Sequence, residues 1–158
     1  MKILLGFLAF VFSLSLLQAE GLISYDKKLK ANGKNVMLIL GSKNCPYCDI
    51  LKKDLNKKEL SSLIKDKMNV YYIPIDEQKN FEIGDKTPAV QTTSLSLKMQ
   101  FGSRVTPTIV MFDEDWNKII QLPGYADPNQ MRLFLNYLNN DIYKNKDLTS
   151  YLQEAGLI

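Results

Sequence analysis

The sequence predicts an α/β domain built on a mixed central sheet of about four strands, with helices on both faces. Three observations carry this expectation. The run Val36-Met37-Leu38-Ile39-Leu40 is unbroken and apolar, and Asn35 and Gly41 bound it. Such a run reads as a strand buried on both sides, which requires covering layers above and below. Segments with apolar residues at helical spacing precede and follow it. Two further strand-like runs, 105–113 and 116–122, are separated only by Glu114-Asp115, close enough to pair as an antiparallel hairpin. The 158 residues accommodate one ordinary domain with a substantial core.

At the N-terminus, Lys2 is followed by an apolar stretch from Ile3 to Leu17, with Ala19 at a polar boundary before Glu20. This pattern predicts a secretory signal peptide over residues 1–19. The stretch is about fifteen residues, short of the roughly twenty that span a bilayer. Cleavage after Ala19 is therefore expected, with an uncleaved anchor as the alternative. The domain is then residues 20–158, exported, and the bacterial style of the leader predicts a periplasmic location where cysteine pairs meet oxidants.

Leu22, Tyr25, Leu29 and Asn32 recur at helical spacing before Gly33, which predicts an amphipathic helix over 22–32. After the central strand, Ser42-Lys43-Asn44-Cys45-Pro46-Tyr47-Cys48 leads into a helix with apolar positions 47, 50, 51 and 55 on one face. Pro46 suits its first turn, where a missing N–H is no loss. A second helical stretch carries Leu60, Leu63 and Ile64. Residues 69–76 form a second strand with Pro74 near its end. Residues 77–93 are polar and contain Gly84 and Pro88, so an irregular insertion is expected, followed by a short helix over 95–101.

The third strand, 105–113, is entered through Pro107. The fourth is 116–122, with Trp116 packing the hairpin. After the turn Pro123-Gly124-Tyr125, Asp127 caps a helix whose Met131, Leu133, Phe134, Leu135, Tyr137 and Leu138 form a broad apolar face. Leu148, Tyr151, Leu152 and Ala155 predict a helical tail over about 147–156. The first two strands are joined by a helical crossover and run parallel, and the last two form a hairpin, so the sheet is mixed.

Composition narrows the chemistry. The net charge of +3 is evenly spread, without the basic stripe of a nucleic-acid binder. The chain has no histidine, which removes Ser-His-Asp and Cys-His catalysis and imidazole metal sites. Two cysteines cannot build a disulfide-stapled scaffold or a closed four-cysteine zinc site. No metal and no cofactor is expected.

The two cysteines, Cys45 and Cys48, stand two residues apart at the start of a helix that leaves a buried strand. Unpaired N–H groups and the positive dipole end at that position favour thiolate over thiol. Cys48 lies one turn later on the same side, within disulfide reach. Cys45 can then attack a substrate disulfide, and Cys48 can release the mixed disulfide by attacking Cys45. Lys43 adds a small positive field. Two other readings of the pair stay open: a static disulfide, of small stabilising effect because its loop is short, and half of a metal site completed by a second chain.

Cys45-Pro46-Tyr47-Cys48 after a buried strand, Val105-Thr106-Pro107-Thr108 opening a later one, and Leu122-Pro123-Gly124-Tyr125 before a terminal helix together resemble the thioredoxin-like superfamily. The resemblance covers about residues 22–143. It is strongest to periplasmic thioredoxins of the type associated with sulfur-oxidation clusters (SoxW-like); the tetrad alone is also similar to that of glutaredoxins. The resemblance implies a cis Thr106–Pro107 peptide beside the cysteines, with the Thr106 backbone docking an extended substrate segment. Pro46 and Tyr47 are then the motif dipeptide, with Tyr47 placed to contact substrate.

The implied activity is an exported thiol-disulfide oxidoreductase. It would reduce protein or small-molecule disulfides as a monomer, with electrons from a membrane thiol carrier. A disulfide-donating oxidase and a non-catalytic binding module of the same fold are the alternatives. Two departures bear on reducing efficiency: Ile39 stands where cytosolic thioredoxins carry a buried aspartate, and Asn44 stands where an aromatic residue usually precedes the first cysteine.

Overall fold

The computed structural model describes residues 21–158; the expected signal peptide, 1–19, lies outside the described residues. In chain order the elements are β1 (Ile23–Ser24), β2 (Lys28–Leu29), β3 (Asn35–Gly41), α1 (Pro46–Leu55), α2 (Lys58–Ile64), β4 (Met68–Pro74), β5 (Asn80–Ile83), β6 (Val90–Thr93), α3 (Ser94–Gln100), β7 (Thr108–Phe112), β8 (Lys118–Pro123), α4 (Pro128–Asn139), a 3-10 turn (Ile142–Lys144) and α5 (Leu148–Glu154).

The main sheet has the order β1-β4-β3-β7-β8. β4 runs parallel to β1 and β3, whereas β7 is antiparallel to both β3 and β8. The sheet is mixed, as expected, with five strands because the two-residue β1 adds an edge. β3 is central, and Val36 through Leu40 are wholly buried. Strand alternation divides them between two cores. Met37 and Ile39 face α1, α2 and α4, while Val36, Leu38 and Leu40 face Leu29, Phe81, Leu97 and Phe101. Helices α1, α3 and α4, and the tail helix α5, form where periodicity places them. The Asp127 carboxylate accepts from the amides of Asn129 and Gln130, and the Gln130 side chain accepts from the Asp127 amide, closing a capping box.

Three expectations are corrected. Residues 22–32 are not a helix. Ile23 pairs with Val70, and Leu29 pairs with Ile83. Tyr25, an inward position on the expected helix, is 63% exposed. The amides of Lys30, Ala31 and Asn32 are bound by the Tyr71 hydroxyl and the Asp85 carboxylate rather than by carbonyls four residues back. Long-range partners therefore override a local spacing that happens to match a helix.

The insertion 77–93 is not irregular. β5 and β6 form an antiparallel hairpin, and with β2 they make a second sheet ordered β2-β5-β6. The insertion's apolar signal is weak because Phe81 alone among the eight residues of β5 and β6 is buried. Finally, Trp116 precedes the fourth strand instead of starting it. It sits at φ 66° in the β7–β8 turn, with its ring 5.5 Å from that of Phe112. It packs the hairpin as expected, and its indole N–H also donates to Asp85 at 3.2 Å.

Candidate active site

β3 delivers the cysteines. It ends at Gly41, and the loop that follows is held by the end of β4. The Ile75 amide donates to the Gly41 carbonyl, the Tyr72 hydroxyl to the Ser42 carbonyl, and the Lys43 amide to the Asp76 carboxylate. Gly41 is required here, because a Cβ would stand within 3 Å of the Tyr72 ring and hydroxyl. The loop hands the chain to α1 with Cys45 as its N-cap, in extended conformation, and Pro46 as the first helical residue.

Cys45 and Cys48 form a disulfide with their Cα atoms 5.2 Å apart. The Cys48 amide donates to Cys45 Sγ at 3.1 Å. A helix N-terminal N–H therefore already points at the sulfur that would carry negative charge. Cys45 is 4% exposed and Cys48 fully buried. Both belong to the core that contains Met37, Ile39 and Leu51. Ile39, at the place of the familiar buried aspartate, is itself wholly buried there, so the surroundings of the pair on the sheet side are apolar.

The Thr106–Pro107 peptide is cis, and a second cis peptide, Thr87–Pro88, lies in the second sheet's hairpin. Sheet register brings Thr106 to the cysteine loop. Leu40 pairs with Thr108 on antiparallel strands, so continuing the ladder sets Ser42 opposite Thr106. Their hydroxyls are in fact 3.3 Å apart. The loop before β7 is shaped by buried hydroxyls: Thr108 donates to the Val105 carbonyl at 2.7 Å, and Ser103 donates to Thr108. The Gly124 amide, at φ 93°, donates to the Pro107 carbonyl at 2.8 Å.

Tyr47 projects from the first turn of α1 and is 59% exposed. Its ring lies 5.9 Å from that of Tyr125. The Tyr125 hydroxyl donates to Asp54, whose other oxygen binds Lys57 at 2.7 Å. The Lys57 ammonium first, and then the Tyr125 hydroxyl, hold the Asp54 carboxyl below the usual carboxylate range. The same Asp54 hydrogen bond, reinforced by burial, pushes the Tyr125 phenol up to about 12.

The structure thus brings together Cys45, Pro46, Tyr47 and Cys48 on α1 with Thr106 and Pro107 across the sheet. Asp54 and Tyr125 were not legible as partners. Asp54 sits between Lys53 and Leu55 with nothing to mark it, and Tyr125 reads as a turn residue.

Residues 25–139 match the thioredoxin-like domain family. No curated protein sequence matches the chain. A thioredoxin-fold protein from Helicobacter pylori is similar over 86% of this chain and 88% of its own, with 31% identity and a TM-score of 0.75. A thioredoxin-like protein from Clostridium perfringens is 22% identical over 80% of this chain and 90% of its own, with a TM-score of 0.52. A thioredoxin from Thermus thermophilus is 18% identical over 72% and 86%, with a TM-score of 0.53. The last two share the fold.

Proposed function

The chain belongs to the thioredoxin-like domain family and is a thiol-disulfide oxidoreductase, and on that premise we propose that it is an exported reductase in which Cys45 attacks and Cys48 resolves. The observation that carries the assignment of roles is the position of Cys45 at the N-cap of α1, with the Cys48 amide directed at its sulfur. A thiolate there is stabilised by that N–H and by the helix dipole, and thiolate is the attacking species.

In the reduced protein, Cys45 thiolate attacks one sulfur of a substrate disulfide. A Cys45–substrate bond forms, the substrate S–S bond breaks, and the departing thiolate takes a proton. Cys48 then loses its proton and attacks Cys45 Sγ. The mixed disulfide breaks, the second substrate thiolate leaves, and the Cys45–Cys48 bond closes. Two electrons have passed from the dithiol to the substrate. A membrane thiol carrier would restore them. Thr106 and Pro107 dock the substrate beside Cys45, Pro46 starts α1, and Tyr47 offers an exposed ring at the rim.

Ile39 distinguishes this site from a thioredoxin with a buried aspartate. No carboxylate at that place takes the Cys48 proton, so the proton passes to water or to the substrate's leaving thiolate. The leader-like residues 1–19 support export, and the motif resemblance supports net reduction of periplasmic protein disulfides or of sulfur-metabolism partners.

Insulin reduction with dithiothreitol as reductant, run with Cys45→Ser as control, tests the activity: turnover in the wild type and none in the variant is expected, and equal rates overturn the assignment of Cys45. Equilibration of the pair against glutathione tests the direction. A potential near that of thioredoxins, roughly −270 mV, supports reduction, and one near roughly −120 mV makes the chain a disulfide donor.

A further inference from the structure

We infer that the groove beside Thr106 selects substrate segments that carry carboxylates next to the cysteine under attack; the inference rests on the reductase reading above and adds a substrate class to it. The groove, about 460 Å³, is bounded by Ser42, Ile75, Asp76, Lys98, Arg104 and Thr106. It therefore opens on the same Ser42–Thr106 contact that joins the cysteine loop to the docking peptide. Lys98 comes from the last turn of α3, and Arg104 from the connection into β7. Both are exposed, and among the described residues neither forms an ion pair.

Of the two carboxylates nearby, Asp76 lines the groove and Glu77 is held by lysines. Asp76 accepts from the Lys43 amide at 2.9 Å. Glu77 is bound by Lys79 at 2.8 Å and lies 3.9 Å from Lys43, which is itself exposed two residues before Cys45. Lys98 and Arg104 thus line the groove with one carboxylate, Asp76, so the charged side chains of its lining sum to +1. An extended segment lying along Thr106 sends alternate side chains to the same side. A carboxylate that enters the groove meets an ammonium and a guanidinium, and the guanidinium can bind it in bidentate fashion. On α1, Tyr47 and Ile50 are exposed and offer apolar contact.

The test uses the full reduced chain and short peptides whose single cysteine is joined by a disulfide to thionitrobenzoate. Aspartate, asparagine or lysine flanks the cysteine, and each rate is divided by the same protein's rate on hydroxyethyl disulfide. At low ionic strength the aspartate peptide is expected to react about threefold to tenfold faster than the lysine peptide, with asparagine between them, as two partly exposed ion pairs allow. The preference should collapse at high salt.

Lys98→Glu with Arg104→Glu should invert the ratio, and the milder Lys98→Gln with Arg104→Gln should erase it. Lys58→Glu, at an exposed position of α2, whose Leu60 and Ile64 belong to the other core, should keep the wild-type ratio. Equal rates for the three peptides in a protein that reduces hydroxyethyl disulfide overturn the inference, as does a ratio that survives both double variants. A wild type inert toward every disulfide overturns the reductase reading instead.

Discussion

The Tyr125 hydroxyl donates to Asp54 Oδ2 at 2.5 Å, and this bond fastens the turn after β8 to the helix that carries both cysteines. The same turn reaches the cis Thr106–Pro107 peptide, because the neighbouring Gly124 amide donates to the Pro107 carbonyl. The ring of Tyr125 also lies against Tyr47. One short segment therefore couples the cysteine helix to the cis-proline loop.

Tyr125→Phe should cost about 2 kcal/mol of stability, the range for a hydrogen bond to a charged group. The difference should depend on pH at both ends. Asp54 has a depressed pKa in the folded state, so its contribution is present above the unfolded carboxylate pKa of roughly 4 and is lost as pH falls through the lower folded value. Tyr125 has a raised pKa, so its contribution is complete below about 10 and disappears as pH rises toward about 12. Urea unfolding of wild type and variant should therefore show the widest gap between these limits. A gap of constant size from acid to alkali would refute the assignment.

Gly41→Ala should destabilise by about 1–3 kcal/mol, the cost of forcing an atom into a packed site. The new Cβ meets the Tyr72 hydroxyl and ring edge, and Tyr72 is buried with its hydroxyl on the Ser42 carbonyl. The alanine should cost less in a Tyr72→Leu background, where the ring edge is gone. A double-mutant cycle with no coupling would show that the contact is not the cause.

Asp85 receives three donors: the amides of Ala31 and Asn32 and the indole N–H of Trp116. It thereby joins the segment after β2 to the β7–β8 turn. Asp85→Ala leaves those donors to water and should open this edge locally. The single tryptophan reports it directly, so emission should shift to the red. Hydrogen exchange should rise at residues 30–32 well below the global unfolding transition. Unchanged emission and protection would mean that the carboxylate holds nothing.

In the reduced protein, Cys45 should react with iodoacetamide before Cys48, because Cys45 caps the helix while Cys48 is wholly buried one turn in. The pH midpoint for Cys45 should fall below the roughly 8.5 of free cysteine. Equal rates at both positions, or a midpoint at that of the free thiol, would show that the helix end does not activate Cys45. Mass spectrometry of the singly labelled protein distinguishes the cases.

The parts of the fold that could be read in advance are those whose partners are numerous and local. β3 announces itself as five apolar residues bounded by Asn35 and Gly41, and α4 as a capped helix with a broad apolar face. Their burial forces a pattern on every residue. The 22–32 segment misled because Leu22, Tyr25 and Leu29 share a helical spacing while the amides of Lys30, Ala31 and Asn32 find partners 41 to 54 residues away. The second sheet stayed hidden because it buries so little side chain that alternation never appears.

At the site, the pairing of Cys45 with Cys48 needs only one helical turn, so disulfide reach could be read from two cysteines two residues apart at a helix start. Asp54 and Tyr125 lie 71 residues apart, and Lys98 and Arg104 approach Ser42 only through the antiparallel register of β3 on β7. Helical geometry is a property of neighbours along the chain and can be read from them. Which distant side chains share a cleft depends on how strands align after collapse, and only the folded chain expresses that alignment.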